Sequence, residues 1–309
     1  MSMPHRAVRR LERAEALDKA AKPVSSAVRR VVRPRIVRNL LSGTNLGHPL
    51  HPMLTDVPIG AWTMAALLDA TGKAKVEQAA DLLVRAGVIA AVPTALTGAN
   101  DWADTIGPER RVGLTHAAAN STALTLYVTS LIARARGDRR RGKALGFAGF
   151  GIMMLSAYLG GHLTFVKGVN VNRTAWQQGP EEWTPVLAEA ELADGEHRTA
   201  DADGVRILLQ RMDGKVYALA ATCSHMGGPL GEGTFESGCV TCPWHGSTFR
   251  FADGGIVRGP ASTPQPYYEA RVRDGRIEVR VPPEGVPVGE VAGRAARKIR
   301  RPLARTPAS

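Results

Sequence analysis

Between residues 45 and 173 the chain alternates long apolar runs with short polar breaks. Four runs, 52–71, 79–98, 113–133 and 144–166, are each long enough to cross a bilayer as a helix of roughly 20 residues at ~1.5 Å per residue. No Lys, Arg, Asp or Glu interrupts 112–133 or 144–166. The first run carries Asp56 and Asp69 and the second Asp81 and Arg85, toward the ends, where charge costs less than at mid-membrane. All four are rich in Ala, Gly, Ser and Thr, which lets helices approach closely in lipid, and none shows the polar outer face of a soluble bundle. The pattern predicts an all-α four-helix transmembrane bundle over 45–173, with no internal repeat visible. Ahead of it, residues 1–44 read as a basic tail of amphipathic helices, 5–21 and 24–33, punctuated by Pro23 and Pro34.

After Val166 the periodicity changes. Short runs rich in Val, Ile, Leu and Tyr (205–210, 216–220, 270–272 and 276–281) are separated by Asp203-Gly204, Asp213-Gly214, Asp253-Gly254-Gly255 and Asp274-Gly275. Such dipeptides are hairpin signals. Residues 183–281 therefore read as a compact all-β domain, joined by a linker at 174–182 and followed by a basic tail at 282–309. The fold class expected is multidomain, a helical membrane bundle followed by an all-β domain.

Charge refines this picture. Of 309 residues, 40 are Lys or Arg and 28 Asp or Glu, a formal charge of +12. The excess sits in residues 1–40 (11 basic, 3 acidic), 134–143 (6 basic, 1 acidic) and 294–309 (6 basic, none acidic). Basic segments flanking apolar spans suit an anionic lipid surface. They do not form the basic, aromatic-lined face that nucleic acid requires, so no nucleic-acid partner is expected. The basic start lacks the apolar core of a secretory signal, and Arg9-Arg10 precedes Leu-Glu-Arg rather than an apolar run, so no export signal is read there. Three cysteines cannot build a disulfide framework.

Two of those cysteines belong to a motif: Cys223-Ser224-His225, then Cys242-Pro243-Trp244-His245. Two thiolates and two imidazoles suit zinc, but a zinc finger pairs Cys with Cys and His with His. Here each loop supplies one of each, the ligand set of a binuclear centre with both thiolates on one iron and both imidazoles on the other. With the glycine- and proline-bearing loops His225–Leu230 and Cys242–Ser247, the run Val216–Leu219, the opening Trp183 and Gly259-Pro260-Ala261, residues 183–281 resemble a Rieske ferredoxin-type domain. The resemblance implies one [2Fe–2S] cluster held by Cys223, His225, Cys242 and His245, with the histidine edges toward solvent and redox partners. Rieske proteins of the cytochrome bc type add a disulfide between the two loops; Gly228 and Trp244 stand at the matching positions. Their cluster-bonding Tyr is matched by Phe249, while Ser247 is kept. Fewer hydrogen bonds to the cluster leave its reduced state less stabilised, so a potential in the lower part of the ~−150 to +300 mV Rieske range is expected. Cys239 matches no ligand and reads as a buried strand thiol.

The residues 45–173 resemble an uncharacterised four-helix membrane family, through the GHPLHPM–DVPIG and GGHL–G–NVN runs. In such a bundle His48, His51, His116 and His162, with Asn100 and Asp101, fall near one membrane face, the face from which both termini and the β domain emerge. These histidines are candidates for haem ligation, His116 with His162 foremost, or for a quinone site; capping is the plainer alternative. The leading function is a multi-pass membrane iron–sulfur protein passing single electrons between redox partner proteins, a reductase or an oxygenase. A quinol- or haem-linked oxidoreductase subunit, a ferredoxin-like oxygenase component and a redox sensor are the alternatives. Whether the chain is itself an enzyme stays open: an oxygenase's mononuclear iron needs two His and a carboxylate, and the 28 residues after Val281 hold no His. Basic residues near the spans slightly favour an external β domain, eight against six. The basic tail, the absent export signal and the missing disulfide favour a cytoplasmic one, which is the expectation adopted.

Overall fold

The computed structural model describes residues 3–283, which divide between Val171 and Asn172 into a helical unit and a β unit. The helical unit has seven helices: α1 Met3–Arg13, α2 Asp18–Val31, α3 Arg35–Ser42, α4 Leu50–Ala70, α5 Glu77–Trp102, α6 Gly107–Ala135 and α7 Arg139–Gly161, the last continued by a wide turn, His162–Val166. The four apolar runs form α4–α7. Helices α5 and α7 with their flanking turns, Ala74–Trp102 and Arg139–Val166, are long and apolar enough to cross a membrane. Helices α4 and α6 are not in that class, because polar residues interrupt their apolar runs, exposed Asn120, Ser121 and Thr122 of α6 among them.

The three N-terminal helices pack on α5 and α6. Arg38 of α3 is buried against Asp104 and accepts no water-facing role: its guanidinium donates to Asn100 Oδ1 at 2.8 Å. Asn100 in turn donates to Ser42 and Asp101, both at 3.0 Å. Arg111 of α6 holds Asp18 of α2 at 2.8 Å, which keeps the Asp18 carboxyl below its usual range. Pro23 does not divide two helices as its position suggests; it lies inside α2, where the carbonyl it leaves unbonded belongs to exposed Lys19. The first break falls instead after Arg13.

Helix pairs α4–α5 and α6–α7 are two copies of one hairpin, a repeat the sequence reading missed. Trp62 follows His51 by eleven residues and Tyr127 follows His116 by eleven. A Cβ at Gly87 would overlap the Trp62 indole, and one at Gly149 would stand 3.1 Å from the Tyr127 ring. A Cβ at Gly98 would lie 2.6 Å from His51, and one at Gly160 3.1 Å from His116. The copies meet where Trp62 stacks on Tyr127, centroids 4.1 Å apart and planes 12° apart. At one end of α4 and α6, Asp69 and Arg134, also equivalent positions, form a buried ion pair, with Asp81 on Arg134 at 2.8 Å. Both hairpins run in the same direction, so the pseudo-two-fold axis lies along the bundle.

The β unit has ten strands. A six-stranded antiparallel sheet has the order β1-β10-β9-β4-β3-β2, made of β1 Thr184–Ala188, β2 His197–Ala202, β3 Val205–Met212, β4 Lys215–Ala220, β9 Tyr267–Arg273 and β10 Arg276–Arg280. A second sheet joins β5 Thr234–Glu236, β6 Cys239–Thr241, β7 Thr248–Arg250 and β8 Ile256–Arg258 in chain order. Asp203-Gly204, Asp213-Gly214 and Asp274-Gly275 each have both residues at positive φ, from 49° to 81°, the hairpin geometry that their composition predicts. Leu192, Ile207, Leu209 and Ile277 fill one core, and Leu208, Leu219, Leu230, Val240 and Phe249 fill another beneath the second sheet. Trp183 lies between Arg271 and Arg280, 4.1 and 4.5 Å from ring centre to guanidinium carbon. The segment 174–182, expected as a linker, is docked on the β unit: Val281 N–H donates to Pro180 O at 2.7 Å, and a Cβ at Gly179 would be 3.0 Å from Val281. The basic C-terminal tail lies almost wholly outside the described residues.

Arg134→Ala strands the buried Asp69 carboxylate and is expected to cost about 3–5 kcal/mol, because an uncompensated buried charge replaces a pair. Arg134→Leu combined with Asp69→Leu should restore most of the loss in a thermal melt of the detergent-purified chain.

Candidate metal centre

The four motif residues sit on two loops of the same construction. The first leaves β4 and the second joins β6 to β7. In the first, Cys223 N–H donates to Gly228 O at 2.8 Å and Gly227 N–H to Cys223 O at 2.9 Å. In the second, Cys242 N–H donates to Ser247 O at 2.8 Å and Gly246 N–H to Cys242 O at 3.0 Å. Each loop thus closes on its cysteine through the residues four and five positions on. The turn needs positive φ at Gly227 (81°) and Gly246 (74°).

This folding brings the two thiols together. Cys223 donates to Cys242, which draws the Cys242 thiol down to about 7 and pushes that of Cys223 up; burial raises both. Backbone N–H groups of His225 and Met226 point at Cys223 sulfur, and those of Trp244 and His245 at Cys242 sulfur, all favouring thiolate. The rings of His225 and His245 meet edge to face, centroids 5.2 Å apart. His225 is buried, while Trp244 beside His245 is 57% exposed, so the histidine side of the centre opens to the surface at the second loop.

The donor set fits a two-iron group. Among the described residues, no three His, Cys, Asp or Glu side chains converge on a single metal position, as one tetrahedral zinc requires. The cysteine pair and the histidine pair instead make two separate two-donor sets, the number and kind that the two irons of a [2Fe–2S] unit would take. A Cβ at Gly228 would stand 2.7 Å from Cys242 Sγ, so that backbone is pressed against the sulfur as a cluster cradle requires.

Against known proteins, residues 182–269 match the Rieske [2Fe-2S] domain family. The ferredoxin subunit of anthranilate 1,2-dioxygenase from Burkholderia cepacia is 33% identical over 100 residues, 32% of this chain and 93% of that protein. Ferredoxin CarAc of Metapseudomonas resinovorans is 30% identical over 98 residues, 31% of this chain and 92% of that one. The chain belongs to the Rieske [2Fe–2S] family. A solved ferredoxin of carbazole 1,9a-dioxygenase from Nocardioides aromaticivorans aligns at 27% identity, 33% of this chain and 100% of that chain, with a TM-score of 0.31. Residues 47–173 match a second family, described as "Predicted membrane protein (DUF2231)". The Rieske domain carries a [2Fe–2S] cluster and electron transfer is its role.

Residues outside the motif brace the Rieske loops. Gln265, 1% exposed, accepts from Ser224 N–H at 2.9 Å and donates to Ala220 O at 2.8 Å and Thr222 O at 2.5 Å. Arg258 Nη1 donates to Gly246 O at 2.8 Å, and Arg173 N–H to Ser224 O at 3.0 Å. Ser247 is fully buried and accepts from Ala261 N–H at 3.0 Å. Sequence reasoning missed Gln265: a lone Gln in a Pro-rich loop carries no periodicity. Cys239 is half-buried rather than buried, because alternation along β6 turns Val240 inward and Cys239 outward.

The four candidate histidines of the helical unit separate. His48 is exposed and lies against Pro49 O at 2.9 Å. His162 is buried and meets Glu12 of α1 at 3.1 Å, with the His5 ring 6.4 Å away, so it ties the N-terminal helix to the bundle rather than facing His116. His51 and His116 occupy equivalent places in the two hairpins.

Gln265→Leu leaves the Ser224 N–H unpartnered in a buried loop, at about 1–3 kcal/mol. The expected outcome is faster loss of the cluster's visible absorption on warming, with wild-type iron content at the start.

Proposed function

We propose that this chain is a membrane-bound single-electron carrier whose Cys223 and Cys242 hold one iron of the [2Fe–2S] cluster and whose His225 and His245 hold the other. The matched hydrogen-bonded closure of the two loops carries the reading, because it sets both thiolates at one place and both imidazoles beside each other. When bound, the cluster takes up and releases one electron. The chain's residues do the rest. Four backbone N–H groups directed at the cysteine sulfurs stabilise added negative charge. Buried Ser247 gives its oxygen to Ala261, which leaves its single proton for an acceptor. Phe249 is fully buried and offers no hydrogen bond where a Tyr would, which supports a potential low in the Rieske range.

A redox protein partner docks where Trp244 and His245 reach the surface; a dioxygenase component, of the kind for which the Burkholderia cepacia ferredoxin subunit is named, is one such partner. The helical unit crosses the bilayer several times, and α1–α3 lie along the lipid surface. Their strongly exposed Val31, Ile36 and Leu40 among many Arg residues favour that placement. The cytoplasmic side is the proposed location of the Rieske domain.

Cys223→Ser and Cys242→Ser each abolish the reduced-state Rieske EPR signal, while Cys239→Ser leaves it intact; a normal signal in Cys242→Ser would sink the ligand assignment. Phe249→Tyr is expected to raise the midpoint potential in a redox titration. Protease added outside intact cells should spare residues 183–281, and cleavage there would move the domain to the outer face.

A further inference from the structure

We infer that the helical unit holds a b-type haem between His51 and His116, as axial ligands from the two halves of its internal repeat. The two imidazoles are set up identically. His51 Nδ1 lies 3.0 Å from Thr94 O, and His116 Nδ1 lies 2.8 Å from Ser156 O. A carbonyl only accepts, so Nδ1 carries the proton in both rings and Nε2 carries the lone pair. That backbone-fixed tautomer is how proteins orient a metal-ligating histidine. Asn120 Nδ2 lies 3.1 Å from His116 Nε2 on the exposed side of α6, and that amide swings aside when the nitrogen meets iron. Thr94 precedes Gly98 by four residues and Ser156 precedes Gly160 by four, so each hairpin supplies the orienting carbonyl and the glycine beneath the ring from corresponding positions.

The surroundings suit a planar group on the axis. Helices α4 and α6 face each other across it: Trp62 meets Tyr127, and Asp69 meets Arg134. Along this stripe Pro58, Ala123, Trp62, Tyr127, Ala65 and Ser130 are buried. At the histidine level the stripe opens, with His51, Thr55 and His116 only partly buried and Asn120 exposed. His51 and His116 each precede a member of the stacked Trp62–Tyr127 pair by eleven residues, which sets the two rings at one level on the facing helices. A bare divalent cation is a poor occupant, for among the described residues no third His, Cys, Asp or Glu joins the pair. A porphyrin brings four nitrogens of its own and needs two axial donors on opposite faces, which is what a two-fold axis between two imidazoles offers. Eleven residues of helix place the site about 16 Å along the axis from the aromatic stack, toward one membrane face.

The inference stands apart from the cluster assignment, and the experiment keeps them separate. The full chain is purified in detergent after expression with a haem precursor, and hemin is titrated into any haem-free fraction. One haem per chain and a b-type reduced-minus-oxidised band are expected. His51→Ala and His116→Ala should each remove the band, while His48→Ala, His162→Ala and the cluster-free Cys242→Ser keep it. His116→Met, a donor that preserves folding bulk, should retain haem with an altered low-spin EPR signal, and the unaltered Rieske EPR signal of each histidine variant shows that the chain is intact. Absence of saturable hemin binding by the wild-type chain overturns the proposal, as does a full band in both alanine variants. Loss of cluster reduction by an added quinol in His116→Ala, without haem in the wild type, assigns the pair to a quinol instead and equally overturns it.

Discussion

The Rieske centre depends on one backbone device used twice. A cysteine at the end of a strand is closed upon by the N–H and C=O groups four and five residues later, with a left-handed glycine making the return. Everything chemical about the site follows from that closure. It turns Cys223 and Cys242 toward each other, aims neighbouring N–H groups at their sulfurs, and leaves His225 and His245 on a common side. The rest of the β unit holds the two loops in register. The six-stranded sheet delivers the first loop from β4 and the smaller sheet delivers the second from β6. Gln265 and Ser247 tie both loops to the Pro-rich segment after β8.

The helical unit follows a different logic, that of a duplicated hairpin. Its small residues are placed by the large ones opposite them: Gly87 under Trp62, Gly149 under Tyr127, Gly98 under His51 and Gly160 under His116. Such close fits and the buried Asp69–Arg134 pair supply cohesion between its helices. Large exposed apolar side chains fall on all four helices, among them Met53 and Leu67 of α4, Ile89 and Leu96 of α5, Ile132 of α6 and Leu155 of α7.

Much of this was legible in the chain. The long strands β3, β4, β9 and β10 announce themselves by β-branched content and Asp-Gly turns, and the ligand loops by paired Cys and His. Strands β5–β8 have three residues each, too short for an alternation to register, and β2 (HRTADA) is polar because both its faces are largely exposed. The helical repeat stayed hidden because its copies share a His and two Gly but differ at the other paired positions: Trp62 answers Tyr127, Thr94 answers Ser156, and Asp69 answers Arg134. Only packing makes those pairs equivalent. The same blindness put His162 beside His116, when its real partner is Glu12 from a helix far off in sequence. The docking of 174–182 was likewise invisible, since its backbone contacts to Tyr268 and Val281 leave no mark on composition.

The central claim is that two irons of unlike coordination sit between these loops. Mössbauer spectroscopy of the iron-57-enriched full chain tests it most directly. The account predicts two equal quadrupole doublets in the oxidised protein, one for a thiolate-ligated iron and one for an imidazole-ligated iron, with the added electron localised on the second after reduction. Two equivalent thiolate-type sites, or iron in a single mononuclear site, would contradict it.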